Sequence, residues 1–350
     1  MQLELPIHEL GDQLRRAWRN HSNLVLVAPT GSGKTTQVCQ LLYADGVLAG
    51  KRIVILQPRR VAARSVAKRV AEEMGRDDSP RDDSPVELGG LVGYQVRFDE
   101  RLTSATEIAF VTEGILLRWL QSDPELSNIG AVLFDEFHER NLLSDIALAL
   151  CKQLQQTSRP DLLLIVMSAT LEAGPVAAYL NPPPFLRGRV GVGAEAPILE
   201  SQGRSYPVDI QYQDWDDDGP VWERAAAKVN EIMRATNTGD VLIFMPGMYE
   251  IQRTIEEIRR SQITDANGQP PAVLMLHGEM SPREQDRVFA TTEYRRVIVA
   301  TNVAETSITI PGIRYVIDSG QARVARYEPG RWRTDCDHRL IRHAEHRRQS

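Results

Sequence analysis

Ala28-Pro29-Thr30-Gly31-Ser32-Gly33-Lys34-Thr35 follows an unbroken apolar run at residues 23–28 and opens a segment with helical patterning. Strand, glycine-rich loop and helix in that order make a phosphate cradle, because glycines let backbone N–H groups curl round an anion at a helix N-terminus. Lys34 is placed to reach the β- and γ-phosphates of a nucleotide and the Thr35 hydroxyl to ligate Mg2+. Thr30, Gly31, Ser32, Gly33 and Thr36 line the rest of the cradle. Ala28 stands where the strict pattern has glycine, a departure that the end of a strand tolerates. A chance glycine-rich turn is the competing reading, and the order of elements argues against it.

Outward from this loop the alternation continues. Residues 52–57, 107–111, 131–134 and 162–167 are further apolar runs, as expected of strands buried on both faces. Helical patterns lie between them. Behind Arg59, for instance, Ala63, Val66, Ala67, Val70 and Met74 recur at three- and four-residue steps. Strands alternating with helices predict a parallel sheet wrapped on both sides. Residues 181–207 change character, with Pro182, Pro183, Pro184, Gly188, Gly191, Gly193 and Pro197, and read as a linker. Beyond it the pattern restarts. Trp222, Ala225, Val229 and Ile232 mark one helical stripe and Ile251, Ile255 and Ile258 another, while residues 241–244, 273–276, 297–300 and 315–317 read as strands. The expected architecture is two α/β domains, over residues 1–200 and 201–350. The pentapeptide at residues 76–80 repeats at once at 81–85 and reads as a duplicated surface loop.

Composition excludes several classes. At 42% hydrophobic and 25% charged, the 350 residues are those of a globular protein and not of a disordered one. The apolar runs are far too short to span a bilayer, and residues 1–10 lack the pattern of a signal peptide. Three scattered cysteines, Cys39, Cys151 and Cys336, fit a reducing cytosol better than a disulfide framework, so a cytoplasmic location is expected. A formal net charge of −6 gives no global positive field, so nucleic-acid binding has to come from local patches.

The run at 131–134 ends in Asp135-Glu136-Phe137-His138-Glu139-Arg140. Carboxylates at the C-terminal end of a parallel strand sit where such sheets bind ligands. Asp135 is placed to hold Mg2+, and Glu136 to orient and deprotonate an attacking water. Taken alone, a cluster of acids is more often a solvated turn; beside a phosphate loop the balance reverses. His138 is not half of a zinc-protease site, because the His-Glu-x-x-His spacing is absent.

From these residues onward the sequence resembles the DEAH-box/RHA helicases of superfamily two, and among them the bacterial Hrp-type proteins, from Leu5 to about Ile341. The resemblance implies two RecA-like P-loop NTPase domains in tandem, each a parallel sheet with helices on both faces. It implies ATP and Mg2+ as ligands and Lys34, Asp135, Glu136 and His138 as the catalytic set, with Phe137 standing where Asp-Glu-Ala-His has alanine. Gln57-Pro58-Arg59-Arg60-Val61-Ala62-Ala63 is similar to the motif that grips the nucleic-acid backbone through arginines, here Arg59 and Arg60. Such contacts position a strand without reading its sequence. Val111-Thr112-Glu113-Gly114 is similar to the next strand-contacting motif, through Thr112 and Glu113. Ser168-Ala169-Thr170 resembles the element that couples hydrolysis to domain movement, through Ser168 and Thr170. Residues 301–307 resemble the motif contacting both nucleic acid and nucleotide, through Thr301, Asn302 and Thr306, with Asp318 just beyond. By the same resemblance Arg69 and Phe289 sandwich the adenine, and Pro246 and Gly247 mark the opening of the second domain. Each has a plainer explanation when taken singly: Arg59 and Arg60 as a solvated helix start, Phe289 as a core residue, Ser168 and Thr170 as caps. Their joint order carries the reading.

The implied activity is ATP-driven movement along a single strand, RNA favoured over DNA, in the 3′-to-5′ direction and with no membrane partner. A basic, aromatic hairpin at residues 322–333, turning at Glu328-Pro329-Gly330, reads equally as a wedge that parts a duplex or as an ordinary edge hairpin. The family's Gln-Arg-x-Gly-Arg-x-Gly-Arg run, whose arginines reach the γ-phosphate, does not follow before Ser350, so a truncated chain is expected. That opens a second class of function, a non-catalytic clamp that holds ATP and RNA without turnover. Cys336, His338, His343 and His346 are spaced as zinc ligands can be, but without a second cysteine pair they read as polar hairpin and helix residues. Another phosphate-loop enzyme, a GTPase or a kinase, is unsupported: no Asn-Lys-x-Asp base-reading motif is present.

Overall fold

The computed structural model describes residues 5–48, 50–75, 87–170, 173–181, 196–201, 208–212, 219–278, 280–290, 292–301, 310–326 and 335–340. The chain divides into two compact units, residues 1–208 and 209–350. In the first, a 3₁₀ turn (Pro6–Leu10) leads into α1 (Gly11–Asn20), β1 (Asn23–Val27), α2 (Lys34–Asp45), β2 (Arg52–Leu56) and α3 (Arg60–Met74). Then come β3 (Val92–Val96), β4 (Asp99–Arg101), β5 (Ile108–Val111), α4 (Glu113–Ser122) and β6 (Ile129–Phe134). The unit ends with α5 (Leu142–Thr157), β7 (Leu163–Ser168), α6 (Ala173–Leu180) and β8 (Ile198–Glu200).

These strands form one sheet in the order β4-β3-β5-β2-β6-β7-β1-β8, parallel throughout except for the β3–β4 pair. Side chains alternate between two cores. Leu24, Leu26, Ile53 and Ile55 pack with Leu14, Trp18 and Leu42 on one face, while Val25, Val54 and Leu56 pack with Ile115, Leu148 and Val176 on the other. Because both faces are covered, these strands read as unbroken apolar runs instead of alternating ones. Parallel pairing also has a positional consequence. The segments that follow β1, β2, β5, β6 and β7 all emerge at the same edge of the sheet, although they are scattered over more than a hundred residues of sequence.

The opposite edge is pinned by Arg159. Its side chain is almost buried and all its donors are engaged, with Asp161 (2.9 Å twice) and with the carbonyls of Glu125, Leu126 and Ile129 (2.7 Å each). Two features differ from the sequence expectation. The end of the expected linker is a strand: β8 pairs with β1 through Val25↔Ile198, Leu26↔Leu199 and Val27↔Glu200. The β3–β4 hairpin was not anticipated: its edge strand β4, Asp99-Glu100-Arg101, is three residues long and wholly charged, so it carries no apolar strand signal. The repeated pentapeptide lies outside the described residues.

The second unit contains α7 (Val221–Ala235), β9 (Asp240–Phe244), α8 (Met248–Arg260), β10 (Ala272–Leu276), α9 (Pro282–Phe289), β11 (Arg296–Ala300) and β12 (Ile313–Asp318). Its four strands are parallel in the order β10-β11-β9-β12. One core gathers Val229, Ile243, Ile251 and Val299, and the other Leu242, Leu276, Val288 and Ile298. A buried arginine again holds one end: Arg296 bonds Asp240 (Nε–Oδ2 2.8 Å) and the carbonyls of Val288, Ala290 and Pro311. A last pair, β13 (Gln321–Arg326) and β14 (Asp335–Leu340), is antiparallel, with Gln321 opposite Leu340 and Arg326 opposite Asp335. The turn of the expected hairpin and its Arg331–Arg333 flank lie outside the described residues, as do His343 and His346. No helix among the described residues is long and apolar enough to cross a membrane.

Candidate active site

The loop after β1 takes the backbone path that its glycines permit. Gly31 (φ +77°) and Gly33 (φ +89°) occupy the left-handed region, which side-chain-bearing residues seldom adopt. α2 then starts at Lys34 with no side-chain cap, so its first N–H groups face the loop. The segment before α1 buttresses this turn. Ile7 N–H donates to Ser32 O (3.2 Å), and Leu5 lies so close that a Cβ on Gly33 would meet its Cδ1 at 2.8 Å.

The β6 carboxylates meet the loop directly. Asp135 Oδ2 accepts from the Thr35 hydroxyl (2.7 Å) and from the Gln57 side-chain amide (2.6 Å), while its Oδ1 accepts from Glu136 N–H (2.9 Å). Lys34 Nζ lies 3.4 Å from Glu136 Oε1, with both side chains buried. Burial, and then the neighbouring Asp135, push the Glu136 carboxyl up to about 7, with Lys34 opposing the shift. His138 is lowered, first by burial and then by Lys34, so a neutral ring is favoured. Glu136 itself is left-handed (φ +51°), a conformation that costs about 1 kcal/mol or more and persists only where surroundings enforce it.

Several buried polar atoms at this edge have no hydrogen-bond partner: Ser32 Oγ, Gln57 Oε1, Glu136 Oε2, His138 Nδ1 and Ser168 Oγ. Glu136 Oε2 and His138 Nδ1 stand 3.5 Å apart without the alignment of a hydrogen bond. Orphaned buried groups are costly and uncommon, so their concentration here fits a bound polar ligand. The charge pattern fits a cation as well. Asp135 and Glu136 face one lysine, and Thr35 Oγ1 and Asp135 Oδ2 converge as hard oxygen donors. One carboxylate and one hydroxyl suit Mg2+, which completes its shell with water and phosphate oxygens.

The other expected residues fall into place unevenly. Arg59 is the N-cap residue of α3, its guanidinium 3.2 Å from Glu139, and Arg60 is exposed beside it. Thr112 precedes α4 as its N-cap residue. Glu113 opens α4, is 3% exposed and accepts from Ser144 Oγ (2.8 Å). Ser168 ends β7 beside the loop strand, and Thr170 is exposed just past it. Arg69 lies on the outer face of α3 and bonds Glu73 (2.8 Å). In the second unit Phe289 ends α9, partly buried against the Leu242–Val288 core. Thr301 N–H donates to Leu276 O (3.3 Å), and Asp318 Oδ1 accepts from Gly320 N–H (2.9 Å). Asn302 and Thr306 lie outside the described residues.

Two residues escaped the sequence reading. Gln57 is wholly buried and braces Asp135, although glutamine in an arginine-rich motif gave no such signal. Phe98, at the tip of the β3–β4 hairpin, is 88% exposed and left-handed, with the Arg97 guanidinium 4.7 Å from its ring centroid. An adjacent Arg-Phe pair was the available clue. An apolar groove of about 510 Å3 between α4 and α5, lined by Leu117, Leu120, Ile146 and Leu150, shares no residue with this site and has no titratable lining.

A phosphate loop, a paired threonine and aspartate, and a buried glutamate on a parallel sheet, followed by a second parallel-sheet unit, define a tandem RecA-like phosphate-loop protein. The comparisons with known proteins narrow the class. Residues 12–178 match the DEAD/DEAH box helicase family, and residues 224–344 match the helicase conserved C-terminal domain. The chain is 38% identical over 325 residues to the ATP-dependent RNA helicase HrpA homolog of Haemophilus influenzae, covering 92% of this chain and 23% of that protein. It is 38% identical over 327 residues to the ATP-dependent RNA helicase HrpB of Escherichia coli, covering 93% of this chain and 37% of that protein. The crystal structure of the Escherichia coli DEAH/RHA helicase HrpB superposes with a TM-score of 0.75 at 38% identity, over 93% of this chain and 38% of that one. The chain belongs to the DEAH-box helicases and is similar to their Hrp-type members. It spans between 23% and 37% of the length of these curated relatives.

Proposed function

We propose that this chain is the ATP-driven motor core of an RNA helicase, with residues 1–200 as its ATP-binding domain and 201–350 as its C-terminal helicase domain. The convergence of Lys34, Thr35, Asp135 and Glu136 at one sheet edge carries the proposal. Lys34 and the loop N–H groups bind the triphosphate. Thr35 and Asp135 hold Mg2+, which when bound offsets the charge of the phosphate oxygens. Glu136 orients the attacking water and takes its proton; burial and the neighbouring Asp135 raise its carboxyl, which makes it a stronger base than an exposed glutamate. His138, with a neutral ring favoured, stands beside it, its Nδ1 3.5 Å from Glu136 Oε2. Arg69 and Phe289 take the adenine and Asp318 a further nucleotide contact, while Ser168 and Thr170 couple turnover to movement.

On the nucleic-acid side, Arg59, Arg60, Thr112, Thr301, Asn302 and Thr306 contact the strand backbone. Backbone contacts grip without reading sequence, as a translocating motor requires. Phe98 offers a base a stacking face beside Arg97. RNA is the favoured strand, because the relatives are named ATP-dependent RNA helicases; 3′-to-5′ movement follows only from the family resemblance, and a cytoplasmic location from the scattered cysteines. The clamp reading drew only on where the sequence stops, and that position says nothing about turnover.

The test is ATP turnover by this chain with and without single-stranded RNA, using Lys34→Ala as the blank. RNA-stimulated turnover that Lys34→Ala abolishes supports the motor. Turnover equal to the blank overturns it.

A further inference from the structure

The tripeptide that follows β2, residues 57–59, and the pentapeptide that follows β6, residues 135–139, are tied together twice. β2 and β6 pair in parallel with Leu56 opposite Phe134, so the residues beyond them run on side by side. The first tie is Gln57 to Asp135, at 2.6 Å. The second is Arg59 to Glu139, at 3.2 Å between Nη2 and Oε1. The first is wholly inside the protein, whereas the side chains of the second are 19% and 21% exposed. An ion pair with that much access to water is weak, and a phosphate diester approaching from solvent competes for it. Arginine suits the exchange, because its planar fork engages phosphate as readily as carboxylate.

Glu139 is also mechanically close to the chemistry. It ends the 3₁₀ turn Phe137–Glu139, and its N–H donates to the carbonyl of Glu136 at 3.0 Å. The turn is bounded by two left-handed residues, Glu136 (φ +51°) and Arg140 (φ +48°). A short turn with strain at both ends is held in place by its surroundings, so removing one restraint alters where Glu136 sits.

We infer that Glu139 is a positioning residue that holds Arg59 until a nucleic-acid phosphate takes its place, and that this exchange signals strand binding to Glu136. The inference rests on Arg59 being a backbone contact, as proposed above. A phosphate on Arg59 breaks the pair and repels the Glu139 carboxylate, and one turn of backbone carries the displacement to the attacking-water site.

The experiment measures binding of an oligouridylate and ATP turnover for Glu139→Gln, Arg59→Gln and the double variant of this chain. Removing the competitor makes Glu139→Gln bind the oligomer about 1.5- to 5-fold tighter. The ratio of turnover with strand to turnover without it falls toward one. Arg59→Gln weakens binding, and in that background Glu139→Gln tightens nothing. Tightening that persists without Arg59 is a general charge effect and overturns the inference. No tightening, or an unchanged turnover ratio, overturns it too, while leaving Arg59 as a strand contact. If Arg59→Gln binds as well as the parent, the backbone-contact reading itself has failed and the inference falls with it.

Discussion

Replacing Gln57 by leucine separates bracing of the catalytic carboxylate from stability. In the parent, Gln57 Nε2 donates to Asp135 Oδ2 at 2.6 Å while Gln57 Oε1 is buried without a partner. A hydrogen bond to a charged group contributes about 1.5–3 kcal/mol, and an orphaned buried acceptor costs about 1–3 kcal/mol. Leucine, of similar volume, removes both at once. The two changes offset each other in the folding free energy, so the melting temperature should move by less than about 5 °C. Asp135 keeps its contact with Thr35 Oγ1 but loses the strut that orients it. If the lost contact is felt in full in the transition state, turnover per KM falls roughly 10- to 150-fold. The Mg2+ concentration needed for half-maximal rate rises with it. Steady-state turnover across an Mg2+ titration, with a thermal melt on the same samples, reads both quantities. Turnover within threefold of the parent, or a loss that tracks a drop in melting temperature, would refute the reasoning.

Glu136→Gln should cut turnover about 10²- to 10⁴-fold while ATP still binds, because a general base is lost and the phosphate cradle is untouched; a fluorescent nucleotide titration checks the second half. Phe98→Ala should weaken single-stranded RNA binding roughly 5- to 150-fold, the worth of one base stacked on an aromatic ring, with no change in melting temperature since the ring is exposed. Arg159→Met should lower the melting temperature of the first unit by about 6–20 °C, from about 3–5 kcal/mol lost when a buried charge network is broken. Asp161, the partner of Arg159, is held below the usual carboxylate range by the hydrogen bond from Arg159. Its stabilisation is therefore complete above about pH 3.9 and is lost as the pH falls further, so Asp161→Asn should flatten stability against pH on that acid limb. Half-exposure keeps that slope small.

The sequence by itself determined the chemistry that is local. Gly31 and Gly33 announce a left-handed path, Lys34 and Thr35 open a helix, and Asp135-Glu136 end an apolar strand; each signal is complete within a few residues. It also determined the α/β class, because strands covered on both faces must be apolar throughout. What tertiary structure alone decided is which distant residues meet. Thr35 finds Asp135 across 100 positions, Gln57 finds it across 78, and Arg59 finds Glu139 across 80. Glu113 was read as a strand contact from its motif, and only packing against Ser144 showed it to be buried. Nothing in the sequence marks Arg159 and Arg296 as buried; only the fold gathers backbone carbonyls round them. The physical reason is the same in each case. A polar side chain's role is set by the partner that compensates its burial, and in a parallel sheet that partner comes from a neighbouring strand far away in sequence.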